Sequence, residues 1–190
     1  MDSNKKPYVI GIAGGSASGK TTFAKTLIEA LAPLKVKVFH MDAYFKSEEL
    51  RPQSSAPVSG KVYMDDNHPL TMDLQKLASD LDKEISVADS QVIIVEGLLT
   101  LWDEEIVKLL DLKLFVDCRA DERIVRRLKR NMQWGLTFDQ ISDVYLDLVR
   151  YRHDEYVEPT RWRADFVLNG SNPSEVTLQM IVAWVKQQVN

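Results

Sequence analysis

Gly14, four further residues and then Gly19-Lys20-Thr21 constrain this chain more than any other stretch. They stand between an apolar run, Ile10-Gly11-Ile12-Ala13, and a helix-forming pattern. In a strand–loop–helix setting that spacing is the phosphate-binding P-loop. Its glycines let the backbone curl until successive N–H groups point inward around a polyphosphate. Gly14, Gly15, Ser16, Ala17, Ser18, Gly19, Lys20, Thr21 and Thr22 are therefore the expected nucleotide-binding residues. The Lys20 ammonium would face the β- and γ-phosphates, and the Thr21 hydroxyl would ligate Mg²⁺. A turn alone needs neither that lysine nor the flanking elements.

The rest of the chain reads as strands alternating with helices. Tyr8–Ala13 is the first strand, and the helix from Lys20 runs to Leu31, stopped by Pro33. Val36–Met41 is a second strand and delivers Asp42 to its end. Leu70–Ile85 has helical spacing of leucines, and Gln91–Glu96 is the clearest strand, with four β-branched residues and a terminal acid. A helix over Trp102–Leu110 and a strand over Leu112–Val116 follow. Ala120–Met132 and Phe138–Tyr156 read as helices, the second opened by the capping box Thr137-Phe138-Asp139-Gln140. Asp165–Leu168 is the last strand. A terminal helix opens at Asn172-Pro173-Ser174-Glu175, with Val176, Met180, Ile181, Trp184 and Val185 expected to face the core.

Continuous apolar strands between helices imply a parallel sheet covered on both faces. The expectation is a three-layer αβα P-loop NTPase fold with a five-stranded parallel sheet and a small helical lid. The 190 residues fit one domain, 1–190, with the lid over about 119–140 and a substrate-side loop over about 43–70. Within that loop Ser47–Lys61, rich in Ser, Pro and charge, reads as a mobile active-site segment. A net charge of −4 argues against a general nucleic-acid binder. The single Cys118 excludes an internal disulfide or Cys-cluster metal site and fits a cytoplasmic protein. No apolar run reaches membrane-spanning length, and the N-terminus lacks the apolar region of a signal peptide.

In such sheets ligands sit at the carboxyl ends of the strands. The P-loop, Asp42, Glu96 and Asp117 would all gather there. Asp42 is either the base that accepts a proton from an acceptor hydroxyl or a turn cap, and its place beside the P-loop favours the base. Tyr44 and Lys46 would line the same pocket, although an aromatic in a loop is as often packing as recognition. Glu96 would hold Mg²⁺ with Thr21, or bond to the P-loop as a structural acid. Asp117 reads as a turn residue or a helix cap. Arg123, Arg127 and Arg130 share a helix face and suit bidentate phosphate contacts. They belong either to a lid over the transferring phosphate or to a solvated face. His68 contacts substrate or caps its turn, and His40 and His153 read as structural. Nothing has Ser–His–Asp or zinc spacing. The Asp-x-x-Gly and Asn-Lys-x-Asp motifs of a GTPase switch are absent.

Taken together, the chain resembles the uridine kinase group of the phosphoribulokinase/uridine kinase family, with nicotinamide riboside kinase more distant. The resemblance is carried by Gly14–Thr21, Asp42-Ala43-Tyr44-Phe45-Lys46, His68-Pro69 with Asp73, and Val95-Glu96-Gly97. It continues through Leu114–Asp117, Arg126-Arg127 with Arg130, Glu158-Pro159-Thr160 and Ala164-Asp165. It implies transfer of the ATP γ-phosphate to a hydroxyl of a nucleoside-like small molecule, with Mg²⁺ as cofactor. Lys20, Asp42 and Arg130 would be catalytic. Arg126, Arg130, Asn169 and Gly170 would join the P-loop around ATP, while Asp42, Tyr44, Lys46, Asp66, His68 and Arg127 would meet the acceptor. Relatives assemble into multimers, which makes a homo-oligomer an expectation. The chain departs from the group at three places. Asn67 stands where the group has the acid of Asp-His-Pro, with Asp65 and Asp66 just upstream. The base-reading hairpin with its Tyr and His has no counterpart before Gln91. Trp134 and Leu136 stand where the lid tip carries arginines. A nicotinamide riboside kinase-like enzyme, another sugar or vitamin kinase, and a non-catalytic nucleotide-binding regulator are the competing readings.

Overall fold

The computed structural model describes residues 6–189, so the reading of the extreme N-terminus lies outside the described residues. Five strands, β1 (Tyr8–Ala13), β2 (Val36–His40), β5 (Val92–Glu96), β6 (Leu112–Asp117) and β7 (Phe166–Asn169), form one sheet in the order β2-β5-β1-β6-β7. Every pairing in it is parallel. This is the expected three-layer fold.

The alternation of side chains along each strand divides the core in two. Val9, Ile93, Val95 and Phe115 point to one face, where helices α2 (Leu74–Val87) and α3 (Glu104–Leu109) cover them through Leu77, Leu81 and Ile106. Ile10, Ile12, Ile94 and Leu114 point to the other, covered by α1 (Lys20–Leu31) and α7 (Glu175–Val189) through Leu27, Leu31, Ile181 and Val185. The remaining helices are α4 (Ala120–Gln133), α5 (Phe138–Val144) and the short α6 (Arg150–Arg152). From α5 the chain stays helical to Val157, with π-helical turns at Tyr145–Val149 and His153–Val157. Thr137 and Gln140 make the expected capping box.

Four expectations need correction. The α2 helix starts at Leu74, because the Asp73 side chain accepts from the Lys76 N–H and caps it; Pro69–Thr71 is a separate 3₁₀ turn. The α3 helix begins at Glu104, since the Asp103 side chain caps it at Glu105 and Ile106. The Ser47–Lys61 stretch carries a 3₁₀ turn at Glu48–Leu50 and strand β3 (Gln53–Ser55), which pairs antiparallel with β4 (Val62–Met64). Hydroxyls of Ser59 and Tyr63 both bond Asp147 Oδ2 at 2.8 Å, fastening this hairpin to the helical segment after α5. Finally, α7 buries Leu178, Ile181 and Val185, while Val176, Met180 and Trp184 are exposed. The helix has two apolar stripes, and the one in register with α1 is buried.

Candidate active site

The P-loop leaves β1 at Ala13 and enters α1 at Lys20. Gly14 and Gly19 lie at φ 150° and 101°, Ala17 at 65°, and the Ser18 N–H closes the loop on the Gly15 carbonyl at 3.0 Å. No side chain caps α1, and its first turn holds no acid. The first N–H groups of that helix are thus left for an anion. Lys20 is half-buried; desolvation pushes its pKa down, and the nearby carboxylates of Glu96 and Asp42 push it back up.

Three strand ends converge on this loop. Glu96 closes β5, and its Oε2 accepts from Thr21 Oγ1 at 3.1 Å. Its Oε1 is 2.8 Å from His40 Nδ1 at the end of β2. Asp42 follows in the 3₁₀ turn Met41–Tyr44, is exposed, and makes no side-chain hydrogen bond among the described residues. It lines the same cavity as Lys20, Thr21 and Arg130. Asp117 at the end of β6 pairs with Arg161 at 3.2 Å, and α4 is capped by Arg119 without a side-chain bond, so Asp117 is not its helix cap.

The basic face of α4 lies against the loop. Arg127 Nη1 and Arg130 Nη2 both donate to Ser16 Oγ at 3.3 Å. Burial lowers the pKa of both guanidiniums; Arg130 adds to the effect on Arg127, and Asp42 opposes it at Arg130. Arg127 Nε is buried and unpartnered among the described residues. Arg126 donates to the carbonyls of Gly170 at 3.0 Å and Ser18 at 3.4 Å, and pairs with Glu122. It thereby joins the P-loop to the loop after β7. A Cβ on Gly170 would collide with the Ser18 carbonyl.

Behind the loop, Arg123 Nε donates to the Cys118 carbonyl at 3.0 Å, and Arg123 and His153 pack against Gly15. His153 Nε2 is 3.3 Å from Glu158, and its buried Nδ1 has no partner. Burial, aided by Arg123, lowers its pKa to about 4, so the ring is neutral near pH 7 and Nε2–H donates.

The expected acceptor-side residues divide. The Tyr44 hydroxyl bonds Asp80 at 3.2 Å and its ring lies under Lys76, so this side chain packs on α2 instead of lining the cavity. Lys46 is half-buried, and its carbonyl accepts from Arg51 Nε at 2.8 Å. Asp66 pairs with Arg51 at 3.3 Å and exerts a charge effect on Arg127. His68 Nδ1 accepts from the Leu70 N–H at 3.1 Å, which makes it the cap of its turn, and its ring stands edge-on to Tyr156. Asp65 is fully buried against Arg152.

On the far side of the P-loop a cavity of about 930 Å³ runs from Lys20 to α7, lined by Phe23, Trp134, Asn169, Gly170, Pro173 and Leu178 among others. Asn169 Oδ1 accepts from the N–H groups of Ser171 and Asn172 and fixes this rim. Trp134, at the C-terminal end of α4, stacks 5.0 Å from the Arg130 guanidinium. The size and the mixed apolar and polar lining suit a nucleotide base and sugar.

Sequence reasoning read His40 and His153 as structural but did not foresee the bond of His40 to Glu96, the packing of His153 behind Gly15 or the double carbonyl grip of Arg126. For the first, the sequence showed only that both residues lie at or near the end of a strand; the pairing His40 opposite Glu96 is set by the register of β2 on β5. Thr21 and Glu96 offer two hard oxygen donors, and no cluster of three or more metal-ligating side chains exists among the described residues. That suits Mg²⁺, which keeps its waters and shares ligands with a substrate phosphate.

Comparison with known proteins bears on the family and the fold. The sequence pattern of the "Phosphoribulokinase / Uridine kinase family" matches residues 44–176. A uridine kinase of Geobacillus sp. (strain WCH70) is 34% identical over 205 residues, covering 96% of this chain and 95% of that protein. A uridine kinase of Bacillus cereus (strain AH187) is 33% identical over 217 residues, with both chains wholly covered. The structure of phosphoribulokinase from Rhodobacter spheroides superposes with a TM-score of 0.66 at 17% identity, covering 90% of this chain and 74% of that one, a likeness of fold.

Proposed function

The chain belongs to the phosphoribulokinase / uridine kinase family and is a phosphotransferase acting on a hydroxyl group; from that premise we propose that ATP is its donor and uridine its acceptor. The carrying observation is the shared cavity of Lys20, Asp42 and Arg130, with a carboxylate that makes no side-chain hydrogen bond beside the phosphate cradle. In this reading the P-loop N–H groups and Lys20 hold the β- and γ-phosphates, and Arg126, Asn169 and Gly170 border the nucleoside. Thr21 and Glu96 would hold Mg²⁺, which supplies charge neutralisation of the phosphates when bound. Asp42 takes the proton of the attacking hydroxyl while Lys20 and Arg130 offset charge on the transferring group. Arg127, with its unpartnered Nε, and Asp66 border the acceptor. Residues 1–190 act as one kinase domain, with 119–140 as a lid that brings Arg127 and Arg130 over Ser16. No helix among the described residues is long and apolar enough to cross a membrane; the sparse cysteine usage, Cys118 alone, is compatible with a cytoplasmic setting.

The α2 helix passes to β5 through only Ala88–Gln91, and the one hairpin among the described residues is β3–β4. Acceptor choice is therefore the part to test. ADP release from ATP is measured with uridine, cytidine, nicotinamide riboside and simple sugars. The expected result is a clear rise with uridine; a rise only with another acceptor would replace uridine, and no rise with any would favour a regulator.

A further inference from the structure

Glu96 is 5% exposed, and both of its carboxylate oxygens are engaged, Oε2 by Thr21 at 3.1 Å and Oε1 by His40 Nδ1 at 2.8 Å. Topology brings the second partner in. The β2 and β5 strands run parallel with His40 opposite Glu96, so the two side chains leave the same face of the sheet. A carboxylate only accepts, so Nδ1 carries the hydrogen. The third group nearby is Lys20, whose half-buried ammonium feels the Glu96 charge. A glutamate with one oxygen free would be drawn onto that ammonium. Such a pair would take Lys20 from its phosphate and Glu96 from Thr21.

We propose that His40 is a positioning residue that holds Glu96 beside Thr21 and off Lys20, presetting the hydroxyl–carboxylate pair for a hard divalent cation. The inference rests on the reading of Thr21 and Glu96 as the metal pair. Hydrogen-bond partners of a metal-ligating side chain commonly govern metal affinity by about 10- to 100-fold. The His40 side chain is 53% exposed, so replacing it opens no hole in the core.

Titration calorimetry of ATP binding, in Mg²⁺ and in EDTA, gives the Mg²⁺-dependent gain in affinity as the ratio of two Kd values. In His40→Ala that gain is expected to fall about 10-fold or more, with the EDTA value within about twofold of the parent. His40→Asn, whose amide nitrogen lies the same number of bonds from Cβ as Nδ1, should recover most of it. A gain unchanged in His40→Ala, or equally low in His40→Asn, overturns the inference. Glu96→Gln is run alongside. A gain lost there but kept in His40→Ala overturns the inference alone, and a gain kept in Glu96→Gln overturns the metal reading with it.

Discussion

The fully buried Asp65 carboxylate meets the Arg152 guanidinium, tying the chain just after β4 to the helical segment around α6. The same guanidinium reaches Glu155, and Asp65 also accepts the Asn67 N–H through Oδ1 at 3.3 Å. Removing one member of a buried pair leaves an uncompensated charge. Arg152→Ala is therefore expected to lower unfolding free energy by roughly 3 kcal/mol in urea denaturation. A loss within experimental error would show the pair to be neutral.

Trp134 backs Arg130 through a cation–π contact while Arg130 holds Ser16. Exposed contacts of this kind contribute about 0.5–1 kcal/mol. Trp134→Ala should raise the KM for ATP about two- to fivefold with little change in stability. Initial-rate kinetics against ATP check this.

His153 gives the fold a built-in sensitivity to acid. Its folded pKa of about 4 lies below the ordinary 6.5 because of burial and Arg123, with Asp154 and Asp117 opposing. A depressed folded value means the contribution is whole above pH 6.5, falls as pH drops toward 4, and is flat below. Over that window the group accounts for up to about 3 kcal/mol. Thermal melts of the parent and His153→Gln between pH 7.5 and 4 should converge as pH falls; parallel curves would exclude this residue as the cause.

Lys20→Ala should lower turnover at least about 10²-fold, since a charge at the transferring phosphate is lost. Single-turnover measurement with saturating ATP separates this from weaker binding.

The sheet was legible because its strands are unbroken apolar runs, and the P-loop because its spacing admits few alternatives. Of the two readings of Tyr44, pocket lining and packing, the structure shows packing; nothing in Asp42-Ala43-Tyr44 reveals that the ring turns onto Asp80 and Lys76 of α2. The hairpin at Gln53–Met64 hides in a polar stretch because what orders it is remote, Asp147 lying 84 residues from Tyr63. Trp184 looked like core because an amphipathic helix with two apolar stripes does not declare which it buries; its indole instead donates to the Tyr8 hydroxyl at 2.9 Å. Contacts between distant segments decided each case, and local spacing carries no record of them.

In the proposed reaction Asp42 is the residue on which the chemistry turns. Calorimetry of ATP binding and steady-state turnover with uridine should be carried out on Asp42→Asn and the parent. The expected result is an ATP Kd within about twofold of the parent and turnover lowered about 10²-fold or more. Turnover equal to the parent would contradict a proton-accepting carboxylate at the end of β2.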